Sequence, residues 1–384
     1  MRPQSSEQPV PNCEPNAYRR TKRWLVPRLA GATFTHRLRR LTLAMCMIGS
    51  DGFRRIATDP AFSSVQSLDL VGNTVSPDEW ALLFESPTLT QVNALSIHGD
   101  QLPVYARSSM ALRVRELTVA GASDFERDMA PERQAWLELI DRAPPPRRLI
   151  IECHNPGREV FAAMRRQGWL KTVRELSLSG GSQYEVYSGR TAGARSLFRW
   201  GVLPCLARLR LHELCDSATR TALAGWNGLT HLESLELTDD YYGRLIPSQF
   251  DPEHPPERIR LLNGVAVFSE ADVERFLALP RLERLSHLHL SFCAEYQSAT
   301  RQFFARISPD TAEWLVRSDR LANVTDLTLG FHYLPKVKAR LTTVLADPSV
   351  FPRARRVRVY GSSGNGRHSL AGLRKRFGLQ LQTS

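Results

Sequence analysis

The chain has 384 residues, 42% of them hydrophobic and 23% charged, with a formal net charge of +12. Its longest apolar run, Leu41 to Ile48, is far too short to span a bilayer, and its six cysteines (13, 46, 153, 205, 215 and 293) form no CxxC pair, so they read as small apolar residues in a reducing compartment. The positive charge belongs to the ends: residues 1–40 carry +7 and residues 335–384 carry +10, while the stretch between carries −5, which excludes a basic nucleic-acid stripe along the body of the molecule.

Residues 1–16, rich in Pro, Gln, Ser and Asn, are expected to be a disordered lead. No apolar h-region follows Arg2, so no secretory signal is expected and a cytoplasmic location is the default. Arginine outnumbers lysine 46 to 5, the bias of a GC-rich genome, which points to a bacterial source. Residues 17–36 form an N-terminal cap in this reading. Tyr18 to Leu29 would be a short helix or loop, with Trp24, Leu25 and Leu29 covering the end of the core.

From residue 37 to 362 one frame recurs. Its clearest copy is Val65-Gln66-Ser67-Leu68-Asp69-Leu70-Val71-Gly72-Asn73, apolar-x-x-Leu-x-Leu-x-x-Asn. Copies begin at Leu38, Val65, Val92, Val114, Pro146, Val173, Leu206, Leu232, Ile259, Leu285, Val324 and Ala354, at steps of 22 to 39 residues. The copy at Ile259 is poor, because Leu262 is followed by Gly264. Such a period marks a solenoid. Alternation about the second Leu predicts a short strand with one face inward. No single unit can bury that face alone, so stability comes from stacking neighbours. All copies run in one sense with room for a return path, so the strands must be parallel.

The returns read as follows. Pro77 to Phe84 is an amphipathic helix, with Trp80, Leu83 and Phe84 on one face. The 22-residue step from Val92 leaves room for a loop or one 3₁₀ turn around Leu102-Pro103-Val104. Asp124 to Ile140 is a helix with Trp136, Leu137 and Ile140 inward, stopped by Pro144-Pro145-Pro146. Gly180 to Gly193 is a protruding loop, and Asp239 to Pro256 is irregular. Ser298 to Ser318 holds one or two helices carrying Phe303, Phe304, Ile307, Trp314 and Leu315. Residues 363–384 form the C-terminal cap, a Ser369 to Phe377 helix followed by Leu379-Gln380-Leu381.

This pattern resembles the leucine-rich repeat family, and within it the ribonuclease-inhibitor-like class with helical returns, from about Leu38 to Val359. The resemblance implies a curved α/β solenoid of about twelve repeats, with a parallel sheet on the concave face and helices and loops on the convex face. In that family the residue after the strand is Asn or Cys. Here Cys46, Asn73 and Cys293 match, whereas Asp100, Ala122, His154, Gly181, Leu214, Asp240, His332 and Ser362 depart, so the chain looks like a divergent bacterial member. Leu373 to Gly378 is similar to the end of certain bacterial leucine-rich-repeat proteins.

The resemblance also implies that residues flanking the second Leu face the concave side and bind a protein partner. In a parallel in-register sheet such neighbours lie about 4.8 Å apart. Glu116, Arg148, Glu175 and Arg208 then alternate in sign, and Arg210 lies beside Glu236. With His212, His287 and His289 they make the expected partner-binding set. The competing reading is a ladder of ion pairs that satisfy one another. His287 and His289 beside Asp326 suggest metal ligands, but no third ligand is obvious, and no metal or cofactor is assigned. Glu152-Cys153-His154 reads as packing at a strand end.

No nucleophile elbow, phosphate loop or zinc-ligand spacing is present in the sequence. Gly361 to Gly366 lacks the Lys-Ser/Thr of a P-loop, and no enzymatic role is assigned. The rival to the protein scaffold is a binder of nucleic acid or anionic membrane through the basic C-terminal segment. There Arg355, Arg356 and Arg358 with Tyr360 are the anion candidates, joined by Arg353, Arg374, Lys375 and Arg376. The alternative for that segment is a polar cap that keeps the chain monomeric.

Overall fold

The computed structural model describes Val26 and residues 37–121, 130–152, 156–179, 192–200, 203–212, 217–238, 253, 255–267, 269–297, 302–304, 306–332, 334–361, 371–377 and 381–383. The expected lead, most of the N-terminal cap, the Gly180 loop, the Asp239 region as far as Pro252, and Cys153 and His154 lie outside them. The chain divides into two compact units, Met1–Val114 and Arg115–Ser384.

The first unit holds three parallel strands, β1 Arg40–Thr42, β2 Ser67–Asp69 and β3 Ala94–His98. Leu41, Leu68 and Leu95 pair in register, and they are buried with Leu43, Leu70 and Ile97. Asn73 follows β2 at the turn out of the sheet. It is 2% exposed. Its Nδ2 donates to the Leu43 and Leu70 carbonyls at 2.8 and 2.9 Å, and its Oδ1 accepts from the Ile48 N–H at 3.3 Å. One side chain thus pairs the Ile48 N–H and gives a second donor to two carbonyls that each already accept one backbone N–H, from Cys46 and from Asn73 itself, where the chain turns out of the sheet.

The return helix Pro77–Phe84 forms as expected. Ser76 and Glu79 close a capping box and Pro77 occupies the first turn. Its Trp80 meets Phe53 edge-on at 4.6 Å and Phe84 at 5.4 Å, and Phe84 meets Tyr105 at 5.4 Å. This aromatic run joins three successive returns. Burial pushes the Tyr105 phenol above its usual range.

The second unit holds the other repeats. Their strands are β4 Glu116–Ala120, β5 Arg148–Glu152, β6 Glu175–Ser179, β7 Arg208–His212, β8 Ser234–Thr238, β9 Leu261–Val267 and β10 His287–Cys293. Next comes a two-stranded antiparallel hairpin, β11 Glu295–Gln297 with β12 Gln302–Phe304. The main sheet resumes with β13 Asp326–His332 and β14 Arg356–Gly361 and ends with β15 Leu381–Thr383. In this unit the sheet order is β4-β5-β6-β7-β8-β9-β10-β13-β14-β15, parallel throughout. The architecture is the leucine-rich-repeat type of α/β solenoid. All twelve expected frames form strands, and a thirteenth strand closes the series.

Several local expectations are corrected. The copy at Ile259 is a full repeat. Leu262 pairs with Leu288, but Val265 rather than residue 264 pairs with Leu290, so β9 contains a bulge. Gly264 makes it possible: its φ is +86°, and a Cβ there would lie 2.2 Å from the Leu237 carbonyl oxygen. The short step after Val92 holds a Leu102–Arg107 α-helix between two 3₁₀ turns, because Pro103 falls in the helix's first turn, where it costs no hydrogen bond. In the Ala130–Arg142 helix the buried face is Ala135, Trp136, Leu139 and Ile140, with Leu137 only half-buried. Phe303 and Phe304 lie in β12, an aromatic pair better suited to a strand. The only α-helix described over 298–318 is Pro309–Val316, where Trp314 stays half exposed. The tail after Ala371–Phe377 adds a strand to the sheet.

Arginines tie successive returns together. Arg320 donates to the carbonyls of Leu277 and Leu279. Arg376 donates to those of Leu345 and Asp347, both at 2.6 Å, and to Val350 at 2.7 Å and Phe351 at 3.0 Å. Arg376 is therefore a structural clamp and not part of a free basic patch. Among the described residues no helix is long and apolar enough to cross a membrane.

Candidate functional site

In each strand the leucines enter the core, and the residues between them stand on the opposite, open face. The burial pattern of β7 alternates strictly, with Arg208, Arg210 and His212 out and Leu209 and Leu211 in. On this face of the second unit the expected neighbours meet. Glu116, Arg148, Glu175 and Arg208 are consecutive partners in register. Arg148 lies 3.6 Å from Glu116 and 3.0 Å from Glu175, and Arg208 lies 3.4 Å from Glu175. The Arg148 Nε–H is not aligned on Glu175, so that contact is ionic without a formed hydrogen bond.

Two residues further along the strands, Arg210 makes the best-formed pair. Its Nε and Nη2 donate to the two Glu236 oxygens at 3.0 and 3.1 Å. That fork holds the guanidinium pKa above its usual value. His212 stands beside Ser179 and Thr238 in register, exposed and outside the charge pairs.

The first row of charges is interrupted at β8 and β9, where Ser234 and Leu261 occupy the equivalent positions. It resumes at β10. His287 Nδ1 is hydrogen-bonded with the Ser286 hydroxyl at 2.8 Å, and its Nε2 lies 3.2 Å from an Asp326 carboxylate oxygen. Asp326 also meets Arg356 at 3.2 Å and accepts from the Thr325 hydroxyl at 3.1 Å. In the second row His289 Nδ1 donates to Asn263 Oδ1, and its Nε2 accepts from the Tyr360 hydroxyl. Ser291 adds contacts of 3.3 and 3.2 Å to His289 and Tyr360. The two histidines thus turn to different partners, and among the described residues no three acidic, His or Cys side chains form a metal cluster.

Tyr360 is two strands away from His289, and Gly330 on the strand between explains how it reaches. Tyr360 and Gly330 are register partners, and a Cβ on Gly330 would lie 2.6 Å from the Tyr360 ring. The ring therefore crosses β13 where a side chain is missing. Sequence reasoning placed His289 and Tyr360 in separate sites. A glycine inside the otherwise regular strand Leu327-Thr328-Leu329-Gly330-Phe331 was the available signal for a close approach.

The two expected sites consequently share one shallow depression of about 190 Å³. Its lining includes Glu236, Leu261, Asn263, His287, His289, Asp326, Thr328, Arg356 and Arg358. Arg358 is exposed, and no carboxylate among the described residues pairs with it. Arg353, Arg355, Arg374 and Lys375 are exposed as well.

No family model matches the chain, and no curated protein matches it. Among solved structures, a Bacteroides fragilis protein matches with 11% identity over 77% of this chain and 75% of its own, at a TM-score of 0.41. An internalin from Listeria monocytogenes matches with 11% identity over 88% and 86%, at a TM-score of 0.33. The fold assignment rests on the strand ladder itself.

Proposed function

We propose that the chain is a non-catalytic, monomeric scaffold that binds a protein partner on the open face of its sheet. The observation that supports this is the two rows of fixed, exposed or partly exposed charges of both signs from Glu116 to Glu236. Exposed ion pairs contribute about 0–1 kcal/mol each, so stability gives little reason to build five neighbouring strands around them. Charges held in register do supply specificity and orient an incoming partner. The test compares affinity capture by wild type, by Arg208→Glu/Arg210→Glu on the open face, and by Arg158→Glu on the helical face, with nuclease present throughout. The expected result is a nuclease-resistant protein lost only with the open-face variant. Loss only with Arg158→Glu would move the interface to the helices.

A second reading has its own support in Arg353, Arg355, Arg358, Arg374 and Lys375, which are exposed and have no acidic partner among the described residues. In that reading the C-terminal segment binds nucleic acid or an anionic membrane. Binding to mixed-sequence DNA or anionic vesicles should then fall steeply with salt and vanish when Arg353, Arg355 and Arg358 are changed to Ser. No binding at low ionic strength removes it.

A further inference from the structure

We propose that Arg358 is the receptor for a carboxylate, the side chain of an Asp or Glu on the protein partner, seated in the depression between β8 and β14. This rests on the reading of the open face as a protein-binding surface. Among the described residues five strand arginines stand on that face in the second unit. Arg148, Arg208, Arg210 and Arg356 each have a carboxylate within 3.0 to 3.4 Å. Arg358 has none among the described residues. Its neighbours in register are Thr328 and Gln382, and Thr328 lines the same depression, so its residue type offers a second donor to a bidentate acceptor.

The surroundings select the occupant. Glu236 and Asp326 line the depression, and each repels a phosphate dianion more than a single carboxylate. A nucleic acid or lipid surface needs several unpaired cations in one place, and here Arg356 is already engaged by Asp326. The volume of about 190 Å³ is below the roughly 300–1,000 Å³ of sites for drug-sized ligands and suits one side chain. Leu261 is the one apolar residue in the first row of the lining, and it offers contact to the methylenes of an acidic side chain. A guanidinium that meets a carboxylate with two donors gives both affinity and a fixed approach direction.

The test uses the full chain as bait for a random heptapeptide library displayed on phage, with wild type, Arg358→Glu and Arg208→Glu/Arg210→Glu selected in parallel. Wild type should enrich peptides with one fixed Asp or Glu. Alanine at that peptide position, or Arg358→Gln in the protein, should weaken binding about tenfold or more, and Arg358→Glu should enrich Lys or Arg there instead. A wild-type consensus without an acid, or equal affinity for Arg358→Gln, overturns the proposal. Peptides lost with Arg208→Glu/Arg210→Glu yet indifferent to Arg358 leave the scaffold reading standing and this one refuted. No enrichment by any bait refutes both. Displacement by inorganic phosphate at lower concentrations than by acetate would assign the site to phosphate and overturn the carboxylate.

Discussion

Asn73 and Gly330 are opposite solutions to a crowded backbone. Asn73 supplies hydrogen-bonding groups where the chain leaves the sheet. Asn73→Ala strands the Ile48 N–H in the core and leaves the Leu43 and Leu70 carbonyls with one donor each instead of two, and an unsatisfied buried group costs about 1–3 kcal/mol. Chemical denaturation should show a loss of that order, while Cys46, which fills the same place one repeat earlier and stays partly exposed, should tolerate alanine with little change. Gly330 supplies empty space. Gly330→Ala puts a methyl group into the Tyr360 ring and should break the Tyr360–His289 contact. The expected signature is a shift of the His289 ring resonances together with a destabilisation of about 1–3 kcal/mol, the usual range for overpacking. An unchanged His289 environment would mean that the ring does not cross β13.

Within an element, β5 separates function from stability on two adjacent residues. Arg148 points out and bridges two glutamates, while Leu149 points in and is fully buried. Arg148→Gln should cost no more than about 1 kcal/mol, whereas Leu149→Ala should cost about 2–5 kcal/mol. Equal losses in thermal unfolding would mean that the ladder is a structural device. The Pro309–Val316 helix carries a pH-dependent contact. The Arg317 side chain at 2.6 Å, followed by Arg340, holds the Glu313 carboxyl below its usual 4.5. A depressed carboxylate stabilises the fold above its unfolded-state pKa and loses that contribution as pH falls through the folded value. Glu313→Gln should therefore lower stability at neutral pH, and its difference from wild type in urea unfolding should shrink as pH falls below about 4.5.

The strand frames were legible because burial forces period-two alternation at every repeat, and the register followed from the frame, so the Glu116 to Arg208 order could be read directly. The returns were less legible. Their lengths vary, and residues such as Phe303 and Phe304 suit either a helix face or a strand until neighbours decide. The shared site at His289 and Tyr360 was not legible, because those residues are 71 positions apart and meet only through the missing side chain of Gly330.

Across the whole molecule the repeat tolerates returns of very different length because length changes fall outside the strands. β9 is the exception. It carries one residue more than the frame requires, and Gly264 accommodates it at a backbone conformation that other residues resist. Without the bulge, one added residue would turn every later side chain of the strand onto the wrong face. Read as a matter of coding length, Gly264 marks a strand position where a single codon can be lost. Its deletion leaves Leu262-Asn263-Val265 in the regular frame and should preserve the fold, whereas removing Arg210 from β7 would turn Leu211 outward and unfold that repeat. Circular dichroism and hydrogen exchange on the two deletions would show whether the insertion was absorbed at that glycine or is shared by the whole strand.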